Sequence, residues 1–183
     1  MAEIQRTFDG PWMNLGVDVF VREVTPGRYR PGMGLRPGDD VPELRPLVPA
    51  FYRALYGSIA AHAREGLNVV ADVGHYDRAI LAECATIVTG LPVLFVGVRC
   101  PIEEIMGRRN AGQPGREGHY AIGTADDPIP APVQRWQTGV EGVGPYDLEV
   151  DTSVLDPAAC AEVVRKRLAN GPPGRAFAEL AGS

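Results

Sequence analysis

Four short apolar stretches punctuate the chain: "WMNLGVD" (12–18), "LNVVADV" (67–73), "LPVLFVGVRC" (91–100) and "YDLEVDTS" (146–153). Two of them are nearly continuous aliphatic runs. A strand with one wet face alternates polar and apolar positions. A run without alternation suits a strand covered on both faces, as in a parallel sheet between helices.

Helical periodicity fills the intervals. In "PAFYRALYGSIAAHAREG" Pro49 fits the first helical position, Gly66 the stop, and Phe51, Leu55, Ile59 and Ala63 the apolar face. "DRAILAECATIVTG" opens on a capping Asp77 and closes at Gly90. "PIEEIMGRRN" has Pro101 first, acids in its first turn and arginines in its last, as the helix dipole favours. "PAPVQRWQTGV" puts Val133, Trp136 and Val140 on one face, and "DPAACAEVVRKRLANG" has Asp156 as cap and Gly171 past its end. Residues 172–183 read as a loose tail or a short docking turn. Strand followed by helix, repeated, predicts a single α/β domain over 1–183, with a mainly parallel sheet flanked by helices. Two long segments interrupt it: 25–48, rich in Pro, Gly and Arg, and 110–131.

Composition narrows the class. Apolar residues are 45% of 183, enough for a core, and the formal net charge is −5. An acidic chain argues against a general nucleic-acid or anionic-membrane partner and leaves a small molecule as the expected one. Cys84, Cys100 and Cys160 form neither a disulfide framework nor a metal-ligand pair. They read as buried thiols in a reducing cytoplasm. No apolar run approaches the roughly 18 residues of a membrane span, and "MAEIQRTFDG" lacks a signal peptide's apolar core.

In open parallel sheets ligands sit beyond the carboxyl ends of the strands. Asp18, Asp72 and Arg99 fall at or near such ends, with His75 and Asp151 a few residues on. Asp18 reads as a catalytic acid or as a turn former after a strand. Asp72 reads as an acid beside substrate or Mg²⁺, or as one bonded to backbone N–H groups. His75 is a substrate contact or plain surface, and His62 a structural residue. For Asp151 with Thr152 a turn is the preferred reading, and Trp136 is core or pocket wall. No nucleophile–base pair stands at a recognisable spacing.

"PWMNLGVDVF", "EGLNVVADVGH", "LPVLFVGVRCPIEEIMGRR", "PVQRWQ" and "YDLEVDTS", in that order, resemble the chloramphenicol phosphotransferase-like kinases of the P-loop group, from about residue 8 to about residue 169. The resemblance implies ATP- and Mg²⁺-dependent phosphorylation of a small-molecule hydroxyl, with a link to antibiotic resistance. It implies that Asp18, in "GVD", is the general base. Asp72 and His75 would then face the substrate, with Arg28, Arg30 and Arg36 over it or in a flexible solvated loop. Arg99, Arg108, Arg109 and Arg116 would face the phosphates; the alternatives are an ion pair within the fold for Arg99 and a solvated helix end for Arg108 and Arg109. His119 lies in the same lid segment as Arg116, with no strong case for a role. No dedicated metal site is expected from protein side chains.

The same resemblance implies a first strand and a GxxxxGK[ST] loop ahead of Asp18, and the 183 residues contain neither. The one lysine, Lys166, follows no glycine-rich loop. "AEIQRTFDG" reads as the last turns of the helix after that loop, so roughly 20 residues, about one strand plus a loop, are expected upstream. Without them the chain is expected to be an impaired phosphotransferase, or a non-catalytic small-molecule binder, or to run another chemistry on the same scaffold. The central strand would lie between 67–73 and 92–99. Its absence leaves three outcomes open: a longer natural chain, direct pairing of the inner strands, or filling of the slot by another segment or chain. Unpaired inner edges also make homo-oligomerisation an open alternative.

Overall fold

The computed structural model describes residues 1–24, 42–112 and 121–182. Helix α1 (Ala2–Thr7) leads through Gly10, at φ +81°, into strand β1 (Trp12–Asn14). A single helical turn, α2 (Val17–Val19), follows and widens into a π-helical turn over Phe20–Val24. A 3₁₀ stretch (Pro42–Leu47) feeds α3 (Val48–Arg64), then β2 (Asn68–Val70), α4 (Arg78–Ile87), β3 (Val96–Arg99) and α5 (Ile102–Asn110). Helix α6 (Ala131–Glu141), β4 (Leu148–Asp151), α7 (Pro157–Asn170) and α8 (Ala176–Ala181) complete the chain.

The fold is α/β with parallel strands, as the apolar runs predict, but the strands are shorter. They form two separate pairs. β1 runs parallel to β2, with Met13 opposite Val69, and β3 parallel to β4, with Val98 opposite Val150. Among the described residues no ladder joins β2 to β3, so the inner strands do not close up on each other. Val98, on β3, is 62% exposed, although its neighbours in the run are apolar.

What joins the halves is helical and aromatic. Helix α3 buries Val48, Tyr52, Leu55, Tyr56 and Ala60. The expected face is thus displaced: Phe51 and Ile59 are only partly buried and pack at its margin. The tyrosines enter the core because Tyr52 stacks on His75 and Phe177 of helix α8 packs on Tyr56. The carboxyl-terminal segment is therefore docked, not loose. Leu180 is fully buried, and Phe177 packs on Tyr56 at 6.1 Å between ring centres and edge-on to Phe95 at 4.8 Å. Phe95 in turn lies 4.6 Å from Tyr146. Edge-to-face and offset contacts of this kind are favoured by the ring quadrupoles.

Asp77 caps α4 through Ala79 N–H (2.8 Å) and Ile80 N–H (3.2 Å), and Asp156 caps α7 through Ala159 N–H (2.8 Å). Both fulfil the sequence expectation. Pro101 stands just outside α5 as its cap residue, where the first helical position was expected. Of the cysteines only Cys84 is fully buried, and burial pushes its thiol up to about 12. Among the described residues no helix is long and apolar enough to cross a membrane.

Candidate active site

The β1–β2 ladder does not stop with its strands. Leu15 N–H donates to the Val70 carbonyl (3.2 Å) and Val17 N–H to the Asp72 carbonyl (2.8 Å). Between them the chain turns sharply, helped by Gly16 N–H donating to Asn14 Oδ1 (3.2 Å). Gly16 is required here. A Cβ on it would stand 1.5 Å from Asp72 Oδ1 and 2.8 Å from the Asp72 nitrogen, so the Asp72 carboxylate lies directly on this backbone. Asp18 follows two residues later on α2, closed by Phe20 N–H to the Gly16 carbonyl (3.0 Å).

Asp18 was expected at a strand end; it sits instead in a helical turn, because the strand must bend away to clear Asp72. One carboxylate oxygen of each acid is sealed from solvent. The structure therefore brings Asp18 and Asp72 to one edge.

The β2–α4 loop, 71–77, is held at Gly74. The Tyr52 hydroxyl donates to the Gly74 carbonyl. A Cβ at Gly74 would also fall 1.9 Å from Trp136 Cη2, so the indole abuts the loop at this glycine. Trp136 thus serves as a wall, as its helical position suggests.

His75, read from sequence as a surface or substrate-facing residue, is 3% exposed. It stacks on Tyr52 at 4.6 Å and shares a 2.9 Å hydrogen bond with the Tyr56 hydroxyl through Nε2. Nδ1 is buried with no hydrogen-bond partner among the described residues. Burial lowers its pKa to about 4, against a small opposing pull from Asp77. The same burial pushes the Tyr52 and Tyr56 phenols up, so both stay protonated. His62 Nδ1 meets the Ser58 carbonyl at 2.8 Å within its own helix, a structural role.

The arginines gather on the other pair. Arg99 Nε and Nη2 both reach Glu149 Oε1 (2.8 and 2.5 Å), and its guanidinium lies 4.8 Å over the Tyr146 ring. Arg108 Nη2 donates to the Thr152 carbonyl (2.5 Å), and Arg109 Nη1 to the Ala121 carbonyl (3.4 Å). Asp151 accepts from Ser153 N–H (2.8 Å) and hydroxyl (2.6 Å), which hold its carboxyl below its usual range. Its work is the turn. Arg28, Arg30, Arg36, Arg116 and His119 lie outside the described residues.

One residue escaped the functional reading of the sequence. Asp147 accepts from Phe95 N–H (2.9 Å), Arg175 N–H (2.6 Å) and Ala176 N–H (3.0 Å). It locks the start of the β3 run to the start of α8. Two of its partners lie about thirty residues away in sequence, so no local pattern announces it.

A family model described as chloramphenicol phosphotransferase-like protein matches residues 1–169. The match begins upstream of the stretch where the motifs start and ends at the same point. No curated protein matches the chain.

Proposed function

Since the chain belongs to the chloramphenicol phosphotransferase-like family, we propose that it transfers a phosphoryl group to a hydroxyl of a small, antibiotic-like molecule, with Asp18 as the base. The observation that carries this reading is the junction at Gly16, which sets the Asp72 carboxylate on the backbone two residues before Asp18, at the end of a parallel strand pair, with one oxygen of each acid buried. A carboxylate there can orient an acceptor hydroxyl and take its proton as the oxygen attacks phosphorus. Asp72 then supports the substrate or the metal.

In this family the donor is ATP with Mg²⁺. Mg²⁺ is usually held by one or two carboxylates together with phosphates and waters, and Asp72 fits as that protein share while Asp18 stays free to act as base. Among the described residues there is no group of three or more acidic, His or Cys side chains able to hold a metal unaided. The triphosphate is fitted less well. The 183 residues contain no GxxxxGK[ST], and the guanidinium groups of Arg99 and Arg108 are engaged by Glu149 and Thr152. Those two arginines reach a phosphate only by exchanging these partners, a change that is easier for the exposed Arg108 than for the half-buried Arg99.

The test is transfer of label from ATP to a panel of hydroxyl-bearing antibiotics and related small molecules, by the chain and by Asp18→Asn. Loss of about 10²- to 10⁴-fold in kcat, with acceptor affinity kept, is the expected result for removal of a general base. Turnover unaffected by Asp18→Asn sinks the assignment. Acceptor binding without any turnover in either form favours a non-catalytic binder.

A further inference from the structure

Three aromatic side chains behind the acid pair have no place in the chemistry above, yet they hold the loop that carries Asp72. Helix α3 presents Tyr52 and Tyr56 one turn apart, both buried. Tyr52 takes the Gly74 carbonyl and stacks on His75, and Tyr56 takes His75 Nε2 at 2.9 Å. Trp136 abuts the loop at Gly74. Two residues before Gly74, the Asp72 carbonyl holds Val17 N–H at 2.8 Å, and its carboxylate rests on Gly16.

We propose that His75 is a positioning residue: clamped between Tyr52 and Tyr56, it fixes the β2–α4 loop and through Asp72 sets the place of Asp18.

The path is short and each link is a contact. Helix α3 is a rigid seventeen-residue element, and the loop has no regular structure of its own. A loop without a ladder keeps its shape only through side chains that satisfy its backbone and fill the space behind it. The clamp does both. It also requires the imidazole to stay neutral. The groups facing it are the two tyrosine phenols of α3, Cys84 of α4 behind them and the capping Asp77; Phe177 of α8 adds only apolar surface. Only Asp77 favours a charge, and it is engaged with the helix amides.

This inference takes its functional meaning from the phosphotransferase reading, but its test reads geometry, so either can fail alone. Amide hydrogen exchange would be followed residue by residue in the parent chain, Tyr56→Phe, His75→Phe and His75→Gln. Val17 N–H reports the Asp72 junction, and Thr152 N–H, which donates to the Arg99 carbonyl at 2.8 Å, reports the other strand pair. Tyr56→Phe and His75→Phe should speed exchange at Val17 about tenfold and leave Thr152 within about twofold, as for a local opening. His75→Gln, whose amide can meet the Tyr56 hydroxyl, should restore Val17 protection. Equal acceleration at Val17 and Thr152 would make His75 a general core residue and overturn the proposal. So would an unchanged Val17 in both phenylalanine variants.

Discussion

The pair β1–β2 ends in acids backed by sealed aromatic side chains; the pair β3–β4 ends in arginines that are half-buried or exposed, Arg99 over Tyr146 and Arg108 in solvent. On the first, Tyr52 and His75 are almost wholly buried and carboxylate oxygens of Asp18 and Asp72 are shut from water. On the second, Arg99 and Glu149 pair at the surface and Val98 is left open. Buried polar groups cost free energy unless satisfied, so the first end is built to one geometry. Ion pairs that reach solvent contribute little and exchange partners readily, so the second end is held less firmly. The contrast teaches where rigidity and adjustability are divided between the two strand pairs: fixed at the acid, looser at the cations.

The comparison breaks most visibly at the joint between the halves. Phe177 stands between Tyr56 and Phe95, and Phe177→Ala should lower stability by about 3–5 kcal/mol, as for other aromatic core truncations. Urea denaturation checks this. A loss below about 1 kcal/mol would mean that the ring ladder does not join the two pairs.

Acid should reach the first half through His75. The His75 pKa is about 4 in the folded chain against an ordinary 6.5. As pH falls below 6.5 the unfolded chain takes up the proton and the folded one does not, so stability is lost progressively down to about 4. The integrated loss is roughly 3 kcal/mol. Urea midpoints measured down that range should fall more steeply for the parent than for His75→Phe, in which other carboxylates still titrate and this term is gone. Parallel curves would remove the buried imidazole from the account.

Asp147 sharpens the contrast from the other side, since in the β3–β4 half it accepts three backbone N–H bonds. Asp147→Ala strands three amides and should cost about 2 kcal/mol. Asp147→Asn, which keeps one acceptor oxygen, should cost less. Near-neutral behaviour of the alanine variant, read by thermal unfolding, would show that α8 is held by Leu180 and Phe177 alone.

The smallest effect belongs to the surface pair. Glu149→Gln should change stability by less than about 1 kcal/mol and reduce its salt dependence. A larger loss would make the arginine end as rigid as the acid end.

Local pattern determined much of this by itself. The capping aspartates, the helix spans, the parallel α/β class and the order of the motifs around Asp18 could all be read along the chain. Each depends on residues within a turn or two of one another, where propensity and spacing carry the information. Tertiary structure alone decided the rest. It bent the chain at Gly16 and moved Asp18 off its strand, because Asp72 comes from fifty-four residues away. It turned a loop histidine into a buried wedge, rotated the apolar face of α3 toward its tyrosines, and docked the carboxyl-terminal helix whose Phe177 packs on Tyr56. These outcomes depend on which surfaces meet across the core, and burial sets a side chain's role only once its neighbours are in place.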